Sequence, residues 1–320
     1  MTPNTLHLHV GLDKTGSTAI QTMLSRNESA LSSVGLAYLS TMRGRINHAP
    51  LWQSSKSGCH EGWTQIADEL SEIDRRGIVS HEGFYHFTPD YWHDIRRRLA
   101  PHRVEVVVYL RRQSEMVCSG IVQRIKTNRH KKRPGEYTER DLLDIGAHYS
   151  PILDRLSGVF GGRHVHVGRF ERSSMKDANL FVDFFDRLGC DVGHATIAQK
   201  FSMPKAAANP TLDVDAIGVL MELDEAGIGP LDRVTAVKLL QAHGRGDHST
   251  FLPDEMVAAV DKYFLEDNTQ VARQWFGEAV LFRDPGRFRF RDIDPADARR
   301  YRHALQTNGL PRDDATGTSA

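Results

Sequence analysis

Gly11 and Gly16 bracket the run Gly-Leu-Asp-Lys-Thr-Gly, and Ser17 and Thr18 follow directly. A glycine turn running into a helix offers an anion its backbone N–H groups and the positive end of the helix dipole, about half an elementary charge. That is the chemistry of a phosphate cradle, so the run implies a phosphorylated nucleotide as ligand. The NTPase loop reads G-x-x-x-x-G-K-[ST]. In this chain Ser17 holds the lysine position and the lysine, Lys14, lies inside the loop. It would reach the phosphate from a different side.

A second set of anion donors follows the apolar run Val104 to Leu110, which ends in Arg111 and Arg112. Magnesium NTPases place an Asp at the end of a neighbouring apolar strand to hold their metal. Two arginines there call for another anion and not for a metal. A nucleotide with two separate phosphate groups would satisfy both places. His81 and Glu82, at the end of the short apolar run Gly77 to Ser80, add an imidazole and a carboxylate that could take a proton.

The elements that must position these residues alternate between strand and helix. Leu6 to Val10 reads as a strand, and from Ser17 the pattern turns helical, with Ile20, Met23, Leu24 and Leu31 on one face. Gly77 to Ser80 is a short strand. Val104 to Leu110 has the β-branched density of a strand buried on both faces, and a helix follows through about Lys126. His164 to Gly168 predicts a fourth strand, with a helix over Asn179 to Leu188. Three helices follow, at about Val214 to Glu225, Leu231 to Ala242 and Asp254 to Trp275.

The fold class is therefore α/β: three layers, with a central parallel sheet between helices, akin to P-loop NTPases, and a mainly helical C-terminal part. A single domain is expected over residues 1–290, helical from about 205, with a C-terminal extension over 291–320. Arg312 to Ala320 reads as a disordered tail.

With these motifs and elements the chain resembles the sulfotransferases that use 3′-phosphoadenylyl sulfate (PAPS). His9 to Thr18 (HVGLDKTGST) is similar to their 5′-phosphosulfate loop. Tyr109 to Gly120 (YLRRQSEMVCSG) is similar to their 3′-phosphate motif, in which a strand-end Arg is followed eight residues later by a Ser. Arg111 and Ser119 fall on those positions. Gln113 replaces a frequent Pro, as in the bacterial branch. Asn209, Thr211 to Leu220, Phe264, Asn268 and Ala272 extend the likeness in outline only.

The resemblance implies roles. Lys14 would contact the oxygen bridging phosphate and sulfur, which gathers charge as sulfuryl leaves, so it would stabilise the transition state more than the ground state. Asp13, Thr15, Gly16, Ser17 and Thr18 complete the donor loop. Arg111 would pair with the 3′-phosphate, assisted by Ser119. The family takes the acceptor proton on a Glu or His after the second core strand, and Glu82 is favoured over His81. Neighbouring residues at a strand end face opposite ways, so one of the two should point inward. Arg245, in His243 to Asp247, is similar in outline to a loop that closes over the nucleotide.

The function expected is a sulfotransferase moving a sulfuryl group from PAPS to an acceptor hydroxyl or amine, with PAP as product and no metal required. A carbohydrate or glycoconjugate acceptor is suggested by the basic run Arg124 to Arg133, which reads equally as a solvated face. Two other readings stand beside it: an ATP-dependent small-molecule kinase, disfavoured by Ser17 and Arg111, and a non-catalytic nucleotide-binding protein that could dispense with Lys14 and Glu82.

Lys+Arg and Asp+Glu number 41 each in the 320 residues, so no net charge favours nucleic acid. The isolated Cys59, Cys118 and Cys190 suit a reducing, cytoplasmic compartment. No signal peptide or membrane-length apolar run is visible, so no stable membrane insertion is expected. The apolar C-terminal helices offer a face on which a homodimer could form.

Overall fold

The computed structural model describes residues 4–128, 132, 135–203, 212–244, 248–308 and 310. The chain divides into two compact units, each built from separated segments. The first comprises Met1–Arg112, His148–Lys205 and Leu265–Pro285.

Its core is a five-stranded sheet of β1 (Thr5–Val10), β2 (Leu36–Tyr38), β3 (Arg76–His81), β4 (Arg103–Leu110) and β5 (Val165–Arg169), in the order β2-β3-β1-β4-β5. Every pairing is parallel. The expected α/β architecture is present. β2 leaves no mark in the sequence, because three residues are too few to show an alternation. His164 falls outside β5, which reaches instead to Arg169.

Side chains alternate across the sheet. Leu6, Leu8 and Val10 of β1 face one way, and His7 and His9 face the other. On the histidine side, Ile78, Val107 and Tyr109 pack against Ile20, Met23 and Leu24 and against Val182, Phe184 and Phe185. The last three come from the helix Leu180–Arg187, whose start is capped by Asn179 Oδ1 accepting from the N–H of Phe181 (2.9 Å) and Val182 (3.3 Å). Elsewhere in the unit the helices Glu61–Glu72, Pro89–Arg98 and Ser150–Phe160 bury Trp63, Ile66, Ile95, Leu153 and Leu156. Asp267 accepts from the first N–H groups of the last of these, at Tyr149 (2.6 Å) and Ser150 (3.1 Å).

The helix expected through Leu31 is two helices, α1 (Ser17–Arg26) and α2 (Glu28–Ser33). Asn27 breaks them by turning its amide onto the Met23 carbonyl (2.6 Å). The helix expected over Asp254 to Trp275 also divides, into Asp254–Tyr263, Leu265–Val271 and a π-helical turn at Ala272–Phe276.

The second unit comprises Gln113–Ala147, Ala206–Phe264 and Gly286–Ala320. It is a helical bundle whose core includes Val117, Ile121, Leu142, Leu220, Leu240 and Tyr301. Asp213 caps Val214–Glu225 by accepting from the Ala216 N–H (2.9 Å) and also takes the Tyr301 hydroxyl hydrogen. Residues 295–307, within the stretch expected as an extension, form a helix that packs on Val214–Glu225 and Pro230–His243. Asn209, Arg245 and the expected tail at 312–320 lie outside the described residues, as do Arg129, Lys131 and Arg133 of the basic run.

Candidate active site

The loop after β1 lies where the strand order reverses: the chain runs outward from β1 to β2, returns through β3, then crosses to β4. In open parallel sheets the crevice beyond the strand ends at such a point is where ligands bind. Gly11 to Gly16 fills it.

Two glycines make the loop possible. Gly16 has φ +81°, and a Cβ there would stand 2.7 Å from both Leu180 Cδ2 and Phe170 Cε2. A Cβ on Gly11 would meet Ser17 Oγ at 2.5 Å and the Glu82 Cα at 3.3 Å. The bare α-carbon therefore lets the Glu82 backbone lie directly against the loop. Thr15 donates its hydroxyl to the Leu12 carbonyl (2.7 Å), and Ser17 reaches the same oxygen at 3.4 Å. These two hydroxyls brace the loop from inside, and Thr18 is exposed at the start of α1. Ser17 and Thr18 open the helix, so their N–H groups have no acceptor one turn back.

Lys14 is half-buried with φ 62°, a left-handed conformation uncommon for a side-chain-bearing residue. Arg111, only 7% exposed, donates from Nη1 to the Lys14 carbonyl (2.7 Å) and lies over the Phe170 ring, 5.6 Å from its centroid. The Tyr149 hydroxyl in turn donates to the Arg111 carbonyl. Burial, with Arg111 nearby, pulls the Lys14 ammonium pKa below its ordinary value, against the opposing charges of Asp13 and Glu82. Two cations thus share one glycine loop. Asp13 is exposed, and its charge adds to burial in raising the pKa of the Tyr85 hydroxyl.

Arg112 turns elsewhere, donating to the carbonyls of Phe282 (3.2 Å) and Asp284 (2.8 Å). It fastens the late segment of the unit. Ser119 is half-buried on the helix Gln113–Lys126, which belongs to the second unit. In the basic run, Lys132 is engaged by Asp141 at 2.6 Å.

His81 and Glu82 differ sharply. β3 ends at His81, and a 3-10 turn begins at Glu82, so strand alternation does not relate the two residues. His81 is buried, stacks on Trp52 (centroids 5.2 Å apart, 21° between planes) and accepts the Gly83 N–H at Nδ1 (2.8 Å). Burial lowers its pKa despite Glu82 and Asp13, so the ring is neutral, with its hydrogen on Nε2 and its lone pair taken. Glu82 is half-buried and accepts from Gln21 Nε2 at Oε2 (2.9 Å). Gln21 and Phe170 are neighbours of the site that no motif marks; in the sequence Gln21 shows only as a polar residue within the apolar stripe of α1.

Among the described residues, no group of His, Cys, Asp and Glu is arranged to hold a metal ion, and no helix is long and apolar enough to cross a membrane.

No protein-family model matches the chain. It is similar in structure to the sulfotransferase domain from the curacin biosynthetic pathway, with a TM-score of 0.37, 14% identity, and 61% of this chain and 77% of that one covered. It is also similar to a sulfotransferase from Alicyclobacillus acidocaldarius, with a TM-score of 0.39, 15% identity, and 74% and 96% covered. Both neighbours are sulfotransferases. In sequence it is 27% identical over 209 residues to an uncharacterized protein of Archaeoglobus fulgidus, which covers 64% of this chain. The match spans only about half, 55%, of that relative's length.

Proposed function

We propose that the chain is a sulfotransferase that moves a sulfuryl group from PAPS to an acceptor hydroxyl or amine. The observation that carries this reading is the convergence of Lys14 and Arg111 on the Gly11 to Gly16 loop, with the Glu82 backbone against the same loop. The site is rich in anion donors where a magnesium NTPase would supply a carboxylate.

In this reading the loop N–H groups and the α1 dipole hold the 5′-phosphate. Arg111 serves the 3′-phosphate, and Ser119 joins it as the family motif implies. The acceptor oxygen forms a bond to sulfur as the bond from sulfur to the bridging oxygen breaks. The electron pair leaves on the 5′-phosphate of 3′,5′-ADP, where Lys14 neutralises it. The acceptor proton passes to Glu82. His81 is unsuited to that task because its acceptor nitrogen is already bonded to Gly83.

The acceptor class proposed is a carbohydrate or glycoconjugate hydroxyl, resting on the basic run from Arg124. Two calorimetric titrations test the donor: 3′,5′-ADP should bind without magnesium and more tightly than ATP. Tighter, magnesium-dependent ATP binding would overturn the assignment in favour of a kinase. Transfer of labelled sulfate should fall in Lys14→Ala and Glu82→Gln; full rates in both would refute the roles of these two residues.

A further inference from the structure

Gln21 lies one turn into α1 and is 1% exposed, an unusual place for a primary amide. Both hydrogens of its Nε2 are directed: one to Ser80 Oγ at 3.2 Å, the other to Glu82 Oε2 at 2.9 Å. Its Oε1 accepts from Asn47 Nδ2 at 3.4 Å. Reversing the amide would set oxygen against the carboxylate and nitrogen against the Asn47 donor, so only one orientation satisfies all three partners. Ser80 continues the chain to Nδ1 of the fully buried His9 at 2.7 Å. Glu82 is therefore not a loose strand-end carboxylate. One of its oxygens is tied to a buried network anchored on β1, β3 and α1, which leaves Oε1 as its other acceptor atom.

We propose that Gln21 is a positioning residue that fixes the orientation of the Glu82 carboxylate, the proton acceptor in the reaction proposed above. Holding Oε2 on the buried amide sets the direction in which Oε1 faces an acceptor hydroxyl. The assignment of Glu82 as base rests on the functional reading above, whereas the hydrogen-bond control of its carboxylate does not.

The test is the 1H–15N NMR signal of the Gln21 side-chain amide in the full-length protein, identified by its loss in Gln21→Leu. Glu82→Ala removes the acceptor of one amide hydrogen and should move that hydrogen's resonance; an unmoved signal overturns the proposal. In sulfate transfer, Gln21→Leu keeps the bulk, removes the donor, and should lower kcat with little change in KM for PAPS. Asn47→Ala leaves Gln21 in place but frees its carbonyl end. It should lower kcat in the same way by a smaller factor, and it covers the case in which Gln21→Leu does not fold. An unchanged kcat in the folded variants overturns the proposal. If the parent protein transfers no sulfuryl group, the functional reading fails, and the amide signal still decides whether Gln21 holds Glu82.

Discussion

Three buried histidines make the α/β unit sensitive to mild acid. Burial holds His7 and His48 at pKa values of about 3 and His9 at about 4, against an ordinary 6.5. Arg76 adds to the effect at His7 and Arg43 at His48, while Glu82 opposes it at His9. A folded pKa below the unfolded one means that the unfolded chain takes up protons the folded chain refuses. Stability is therefore full above pH 6.5 and is lost as pH falls toward 4. Between pH 7 and pH 5 each histidine costs about 2 kcal/mol, because the unfolded imidazole is almost fully protonated at the lower value. Together they remove about 6 kcal/mol, comparable with the whole stability of many domains. Burial also depresses His81, His86 and His102, which act in the same direction. Urea unfolding followed by circular dichroism at pH 7, 6 and 5 measures the loss directly. His7 supplies a control, because neither ring nitrogen has a hydrogen-bond partner. His7→Phe should reduce proton uptake on unfolding near pH 5.5 by about one proton. A stability at pH 5 within about 1 kcal/mol of that at pH 7 would refute the reasoning.

Lys14→Ala should slow labelled sulfate transfer by about 100- to 1,000-fold, the scale on which loss of a transition-state charge contact is felt, with an unchanged far-ultraviolet spectrum. Arg111→Lys keeps the charge but loses the planar fork, and should weaken 3′,5′-ADP binding about tenfold by calorimetry. Gly16→Ala puts a methyl group 2.7 Å from Leu180 and Phe170 at a φ of +81°, and should cost about 2–3 kcal/mol in thermal unfolding experiments. A Gly16→Ala protein of unchanged Tm would mean the loop is not packed as described.

The parts of this protein legible in the sequence are those written in local patterns. The strand, glycine loop and helix from Leu6 to Leu24 can be read residue by residue, and so can β4 from its β-branched run. The helix expected at about Val214 to Glu225 likewise has those bounds. The divided helix after Asp254 is not legible, because its apolar spacing runs through the break at Phe264. The contrast between His81 and Glu82 is hidden for a different reason. It depends on β3 giving way to a 3-10 turn between them, and on Gly83 supplying the N–H that occupies His81. The link from Gln21 to Glu82 joins residues 61 positions apart and needs the loop at Asn47 to hold the amide in one orientation. No local pattern encodes it.

The first unit closes late. Its five strands are complete at Arg169, yet Asp267 holds the N–H groups of Tyr149 and Ser150, Glu278 pairs with Arg169 (2.5 Å), and Arg112 grips the carbonyls of Phe282 and Asp284. On a ribosome adding about 5–20 residues per second, the early sheet waits several seconds or more between the synthesis of β5 and the arrival of these partners. During that interval Arg112 and Arg169 have no native counterpart from the late segment. A nascent chain halted near residue 200 would carry every strand of the sheet without the segment that secures it, and would be a natural client for a chaperone.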